Sequence, residues 1–284
     1  MVKTVGEKLF EMKTLFEKAG MESAFLDAVL LLAGAMGVHE NQVRLYPDKI
    51  LENETLIDVF TARRLKKEPV SKILNVKGFW KDDFYVNENV LDPRPDSETL
   101  IESVLNCFQD KTAPLHILDL GTGSGCLILS LLKEYENASG VGVDFSQKAL
   151  DIAVKNARAL LLSERFAPLC ASWEDGDFAT RFNQPFDVIV ANPPYIDESE
   201  RETLPQDTLF DPPEALFAKE NGLKAYRDIA SVLPRLLKEN GTAFFECGIN
   251  QAQKLASIFE TAGLRVVKIQ KDLAQIDRCV CVRV

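Results

Sequence analysis

The stretch of this chain with the most chemical content is Asn192-Pro193-Pro194-Tyr195-Ile196, which follows the apolar run Phe186-Asp187-Val188-Ile189-Val190-Ala191. A short apolar run of this kind reads as a buried strand, so the motif stands where a strand leaves its sheet, the edge at which open α/β sheets bind ligands. Each proline holds the preceding residue extended and neither ring carries an N–H, which leaves the Asn192 and Pro193 carbonyls free to accept. An acceptor-rich turn beside an aromatic ring suits a planar NH2 group. Both of its hydrogens are donated, one to the Asn192 side-chain oxygen and one to a backbone carbonyl, while Tyr195 covers its face. Alone, the four residues read equally well as a proline-rich strand end, and the upstream sequence decides between the two.

That upstream sequence supplies a nucleoside site. Leu115-His116-Ile117-Leu118-Asp119-Leu120 is a strand, Gly121-Thr122-Gly123-Ser124-Gly125 follows it, and a helical run begins at Cys126. Glycines at such a turn let backbone approach a ligand that a β-carbon would hold off. Gly140-Val141-Gly142-Val143-Asp144 is the next strand and ends in an acid about twenty residues past the loop, where a carboxylate accepts both ribose hydroxyls. The loop lacks the spaced third glycine of the dinucleotide fingerprint, and no Gly-Lys-Ser/Thr follows it, so NAD and ATP both lose ground. Trp173, at a further strand end, walls an adenine ring or packs in the core. Pro93-Arg94-Pro95-Asp96-Ser97-Glu98 precedes a helix that Asp96 or Ser97 is expected to cap.

The elements that position these residues follow from periodicity. Val5, Leu9, Met12, Phe16 and Ala19 form the stripe of an amphipathic helix ending near Gly20, and residues 24–36 read as a second, more buried helix. Shorter helices around Asn41–Tyr46 and Glu54–Lys67 are broken by Pro47 and Pro69, which gives a small helical bundle over residues 1–75 with no clustered titratable residues on one face. Between Ile73 and Leu91 the pattern turns to strand, with Val76, Phe79 and Trp80 on one side of a Lys81-Asp82-Asp83 turn and Phe84 and Val86 on the other: a β-hairpin linker. From there strands and helices alternate to the end, which implies a largely parallel sheet within residues 76–284, interrupted by the irregular, proline-bearing stretch 197–220, a lid or substrate loop.

Composition narrows the function classes. The chain has 284 residues, 46% of them hydrophobic, and a formal net charge of -10. Residues 1–75 are balanced, so the acidic surplus lies wholly in residues 76–284. An acidic region gains nothing from phosphate neutralisation, the main source of non-specific nucleic-acid affinity, and a direct nucleic-acid substrate is not expected. The N-terminus lacks the apolar core of a signal peptide and no uncharged run approaches membrane-spanning length, so a soluble, cytoplasmic protein without a membrane partner is expected. Six scattered cysteines include no Cys-x-x-Cys pair, and only His39 and His116 are available as imidazole ligands, so no metal site is expected.

Taken together these residues resemble the HemK/PrmC-type family, the glutamine methyltransferases that modify peptide-chain release factors. The resemblance runs through Ala62-Arg63-Arg64 to Glu68-Pro69-Val70, Pro93 to Glu98, Asp119 to Gly125, Asp144, Asn192 to Ile196, Asp211-Pro212-Pro213-Glu214-Ala215-Leu216 and Asp277-Arg278. Ser97 stands where the family usually has Thr, and Asn75 where it usually has Gly. The resemblance implies an α/β fold: a Rossmann-like, seven-stranded class I methyltransferase domain preceded by a small helical-bundle domain and by the hairpin; with no chemistry visible in residues 1–75, a partner-docking or a purely structural role is expected of that bundle, with docking preferred. It also implies S-adenosylmethionine as cofactor, lined by Gly121, Thr122, Gly123, Ser124, Gly125, Asp144, Trp173 and Asn192, with Asp119 meeting its amino group. The catalytic turn is Asn192, Pro193, Pro194 and Tyr195, and the acceptor is the side-chain amide of the glutamine in a Gly-Gly-Gln motif. A nucleic-acid amino-methyltransferase is the alternative, because Asn-Pro-Pro-Tyr also serves exocyclic amines of adenine and guanine; the acidic charge and the helical N-terminal segment argue against it.

Overall fold

A computed structural model describes residues 3–284. The chain divides into two compact units, one running to Val76 and taking in Pro205–Phe210, the other made of Lys77–Leu204 and Asp211–Val284.

Among the described residues the first unit contains five α-helices, Val5–Lys18, Ala24–Met36, Glu40–Leu45, Thr55–Leu65 and Val70–Leu74, and the short 3-10 helix Thr208–Phe210. Thr4 and Glu7 form a reciprocal capping box that starts the first of them, satisfying backbone N–H groups that have no partner within the helix. Val5, Met12 and Phe16 of the expected stripe are buried against Leu31, Leu32 and Ile57. Lys8 is buried as well, and it gathers Asp58 at 2.6 Å and Glu54 at 3.2 Å. Arg64 reaches Asp27 at 2.8 Å. The expectation of no clustered titratable groups therefore fails here, because partners 46 and 50 positions from Lys8 share no periodicity with it.

The second unit opens on a hairpin of β1 (Lys77–Phe79) and β2 (Asp82–Phe84), with Phe79 opposite Asp82. The turn is thus Trp80-Lys81, earlier than the expected Lys81-Asp82-Asp83. Trp80 takes a left-handed φ of 56°, unfavourable for an aromatic residue, and tertiary hydrogen bonds hold it there: its N–H donates to Glu98 at 2.8 Å and its indole N–H to Glu134 at 2.7 Å.

The main sheet has seven strands: β3 (His116–Leu120), β4 (Ser139–Asp144), β5 (Phe166–Cys170), β6 (Phe186–Ala191), β7 (Leu237–Glu246), β8 (Arg265–Lys271) and β9 (Asp277–Arg283), in the order β5-β4-β3-β6-β7-β9-β8. Strands β3 to β7 pair in parallel, as the alternation with helices implies, and β9 runs antiparallel to both its neighbours. Side chains alternate across the sheet with period two. Leu118, Leu120, Ile189, Ala191 and Phe245 pack with the helices Lys224–Leu236 and Ala252–Thr261. Ile117, Val188, Val190 and Phe244 pack with Glu98–Cys107 and Cys126–Glu134 on the other face. Each fully buried Val, Leu, Ile or Phe among them stabilises the fold by about 1.5–3 kcal/mol. The parallel strands therefore end along one well-supported edge.

Candidate active site

Strand β3 delivers the glycine loop to that edge. Gly121, Gly123 and Gly125 all take left-handed φ values, 76°, 54° and 80°, which other residues adopt only with strain. The N–H groups of Gly121 and Thr122 both donate to the Val143 carbonyl on the adjacent strand, at 2.9 and 2.8 Å. The Ser124 carbonyl accepts from Asn156 at 2.8 Å. At Gly125 an added β-carbon would meet Leu129 at 3.0 Å and Ala153 at 3.2 Å, so close packing as well as conformation requires glycine.

Asp144 ends β4 beside this loop. Its Oδ2 accepts the Gly123 N–H and its Oδ1 the Ser146 N–H, both at 2.9 Å. Each oxygen keeps a second lone pair, so the carboxylate is oriented by backbone and can still receive a diol. Burial raises its pKa above the usual carboxylate value, the two backbone hydrogen bonds opposing the shift. Asp119 lies deeper, wholly shielded from solvent: Thr122 donates to its Oδ2 at 2.7 Å, and Oδ1 has no hydrogen-bond partner among the described residues. Its pKa is pushed up to about 7, chiefly by burial, with Thr122 opposing and the neighbouring Asp144 charge adding to the rise. An orphaned carboxylate oxygen in a dry site is costly unless a ligand brings it a donor.

Asn192, Pro193 and Pro194 leave β6 at the same edge and line one cavity together with Gly121, Gly123, Asp144 and Trp173. This cavity, of about 70 Å³, adjoins a second of about 450 Å³, and the two share Phe145, Trp173, Pro194 and Glu214. A larger cavity of about 690 Å³ opens between the helices Lys224–Leu236 and Ala252–Thr261, and neither the glycine loop, Asp144 nor Asn192 lines it. Chemistry and volume therefore separate, and the chemistry marks the smaller site. Thr122, Ser124, Gly125 and Tyr195 are not among the lining residues of these cavities. Thr122 serves Asp119, Ser124 and Gly125 hold the loop, and Tyr195 donates its hydroxyl to Glu246 at 3.2 Å. The expected aromatic cover over the clamp is thus turned away, and the prolines supply the apolar wall.

Several contacts at the site carry no sequence signal of their own. Ser97 does not cap its helix; its hydroxyl donates to Glu246 at 2.5 Å and receives the Asn192 Nδ2 at 3.1 Å. Glu246 is fully buried at the end of β7, and burial raises its pKa to about 7 against the opposing effects of Ser97, Arg278 and Tyr195. Asp96, the other expected cap, instead pairs with Arg278 at 3.1 Å. Gln251 donates to the Tyr195 carbonyl at 2.9 Å, and Gly222 packs so closely that a β-carbon there would stand 2.0 Å from the same oxygen. Asp211 takes the Asp92 N–H at 2.9 Å and Arg94 at 2.6 Å, fixing the segment that brings Pro212, Glu214 and Ala215 to the cavity wall. In the sequence this segment shows only as the Asp211-Pro212-Pro213-Glu214 spelling that forms part of the family resemblance.

Comparison with known proteins now bears on this geometry. The family model described as Methyltransferase small domain matches residues 96–221, and that described as PrmC N-terminal domain matches residues 8–74. The chain is 40% identical over 268 residues to a release factor glutamine methyltransferase of Rhodospirillum rubrum, covering 93% of this chain and 80% of that protein. It is 38% identical over 271 residues to a protein of the same name from Caulobacter vibrioides, covering 94% and 92%. This chain belongs to the release factor glutamine methyltransferase family. Among solved structures it is similar to a release factor-specific protein-(glutamine-N5) methyltransferase of Alicyclobacillus acidocaldarius, with 29% identity, a TM-score of 0.42, and coverage of 67% of this chain and 92% of that one. The seven-stranded sheet with its flanking helices is the class I methyltransferase fold, and S-adenosylmethionine is the family's cofactor. Among the described residues no helix is long and apolar enough to cross a membrane.

Proposed function

We propose that this protein transfers a methyl group from S-adenosylmethionine to the side-chain amide nitrogen of the glutamine in the Gly-Gly-Gln motif of peptide-chain release factors, in the cytoplasm, where translation terminates. The observation that carries this reading is the Asn192 carboxamide: its Nδ2 is tied to Ser97, and its Oδ1 receives no hydrogen bond among the described residues, on the wall of a cavity that also holds the glycine loop and Asp144. The residues fit the cofactor. Asp144 would receive the ribose hydroxyls, and Trp173 and Phe145 would flank the adenine; Asp119 lines neither cavity, and its orphaned Oδ1 would receive the ammonium once the glycine loop shifts on binding. When bound, the cofactor supplies an electrophilic methyl group on a sulfonium.

The protein's own part is orientation. An amide nitrogen is a poor nucleophile because its lone pair is delocalised into the carbonyl, giving the short planar C–N bond. The Asn192 Oδ1 and the Pro193 carbonyl accept its two hydrogens and aim it, and placement of this kind supplies roughly 7–11 kcal/mol. As the N–C bond forms and the methyl–sulfur bond breaks, the nitrogen gains positive charge and the same two acceptors bind it more strongly than in the ground state, which lowers the barrier and not merely KM; the methylated nitrogen then loses one of its two hydrogens as a proton to solvent. Pro193 and Pro194 keep the surroundings apolar. Residues 1–75, whose stripe is spent on their own core, dock the release factor. Tritiated methyl transfer tests the proposal: label enters an intact release factor and not its Gly-Gly-Glu variant, RNA or DNA. Label in nucleic acid with none in release factor overturns it.

A further inference from the structure

Glu246 is a fully buried carboxylate that the proposed reaction leaves without a task. Arg278, a cation close to it, is bound to Asp96 at 3.1 Å, to Asp272 at 3.2 Å and to the Cys247 carbonyl at 3.2 Å. Among the described residues the direct side-chain partners of Glu246 are two hydroxyls, Ser97 on Oε2 and Tyr195 on Oε1. An ionised carboxylate only accepts, so both hydroxyls must spend their single hydrogen on it. Ser97 then has nothing but lone pairs to offer Asn192. A carboxamide has two orientations of nearly equal shape that differ in hydrogen-bond polarity, and a neighbour that can only accept admits the one with Nδ2 turned toward it. The polarity runs from Glu246 through Ser97 to Asn192 over distances of 2.5 and 3.1 Å, joining residues from three separate elements. Tyr195, at the far end of the same turn, is tethered to the same carboxylate.

We propose that Glu246 is a positioning residue for methyl transfer, acting through Ser97 to hold the Asn192 carboxamide with its oxygen toward the cofactor cavity. The claim about geometry stands by itself, and the claim about rate rests on the function proposed above. A merely structural Glu246 would affect stability and leave the orientation of Asn192 unchanged. The two roles predict different responses at Ser97, where loss of one hydroxyl is a mild change to the fold.

The test uses the full-length protein at pH 8.5, above the value of about 7 to which burial pushes Glu246. Ser97→Ala is expected to lower kcat toward release factor about tenfold, the worth of one hydrogen bond, while KM and cofactor affinity stay within about twofold. Ser97→Thr, which restores the hydroxyl, restores kcat. Glu246→Gln lowers kcat as well, because a carboxamide can donate to Ser97 and reverse the polarity, and the double variant loses no more than the more impaired single variant. A second readout needs no turnover: the Nδ2 hydrogens of Asn192, identified by their absence in Asn192→Asp, exchange with solvent faster in Ser97→Ala than in the wild type. Unchanged kcat and unchanged exchange in Ser97→Ala, or fully additive losses in the double variant, overturn the proposal. If the wild type methylates no release factor while the exchange difference persists, the function is wrong and the orientation claim survives.

Discussion

Asp119 holds a carboxyl group beyond the reach of water, and its native value of about 7 stands above the ordinary one because burial favours the neutral acid. A group whose value is raised on folding binds its proton more tightly in the native state. Its contribution to stability is therefore full below about pH 4 and is lost as pH rises through about 7. Asp119→Asn, neutral at every pH and of the same shape, should raise the unfolding free energy at pH 8 by up to about 3–4 kcal/mol and change it little at pH 4. Denaturant titrations at the two pH values decide it; no gain at pH 8 means that the native state ionises Asp119 without cost. A ligand ammonium beside Oδ1 reverses the preference, so cofactor binding at pH 7 should release a proton from the wild type and none from Asp119→Asn. Calorimetry in two buffers of different ionisation enthalpy reads this directly. Asn192→Ala should lower kcat and kcat/KM together by about 10²–10³-fold, as removal of an interaction made mainly in the transition state does; a rise in KM alone would make Asn192 a binding residue only. Asn192, Asp144 and the glycine loop could be read from the sequence because their chemistry is spelled in contiguous or regularly spaced residues. Glu246 could not, and Ser97 showed only as a cap candidate and as part of the Pro93–Glu98 stretch, since Ser97 lies 95 positions before Asn192 and 149 before Glu246, and only the folded sheet edge brings the three together.

At the scale of elements, the proline-rich turn depends on a segment far along the chain. Glu220, Asn221 and Gly222 take left-handed φ values in succession, 59°, 57° and 79°, and the last lies against the Tyr195 carbonyl. Gly222→Ala adds both backbone strain and a collision with a main-chain atom, neither of which a side-chain rotation relieves. The variant should lose about 2 kcal/mol or more of stability and displace the Tyr195 carbonyl from Gln251. Chemical denaturation checks the first effect, and wild-type stability would show that the turn yields. Strands β3, β4 and β7 were legible as parallel because each is followed by a helix of the right period, and β6 because it is a largely apolar run ending at the proline turn. The antiparallel course of β9 was not, because a run such as Cys279-Val280-Cys281-Val282 looks the same in either direction. The Trp80-Lys81 turn escaped for a different reason: Glu98 and Glu134 hold an aromatic residue where local preference would place a glycine.

For the whole molecule, residues 1–75 are balanced in charge and the acidic surplus lies in the remainder, and the docking role proposed for the first segment is open to a direct test. The isolated 77–284 fragment should bind cofactor normally yet methylate intact release factor with kcat/KM reduced by roughly 10²-fold, the loss expected when one of two linked binding surfaces is removed. Equal turnover by fragment and full chain would leave the helical unit without a docking role. The placement of β9 has a consequence for how the molecule is made. It follows every other strand in the chain, yet in the sheet it lies between β7 and β8, and it carries the Arg278 that grips Asp96 beside Ser97. During vectorial synthesis β8 emerges with no strand beside it and must wait for β9 to wedge in and pair with both neighbours. Until then the Ser97 turn lacks its ion pair to Arg278, so a nascent chain that already holds the complete glycine loop and the Asn192 turn is not yet a finished enzyme.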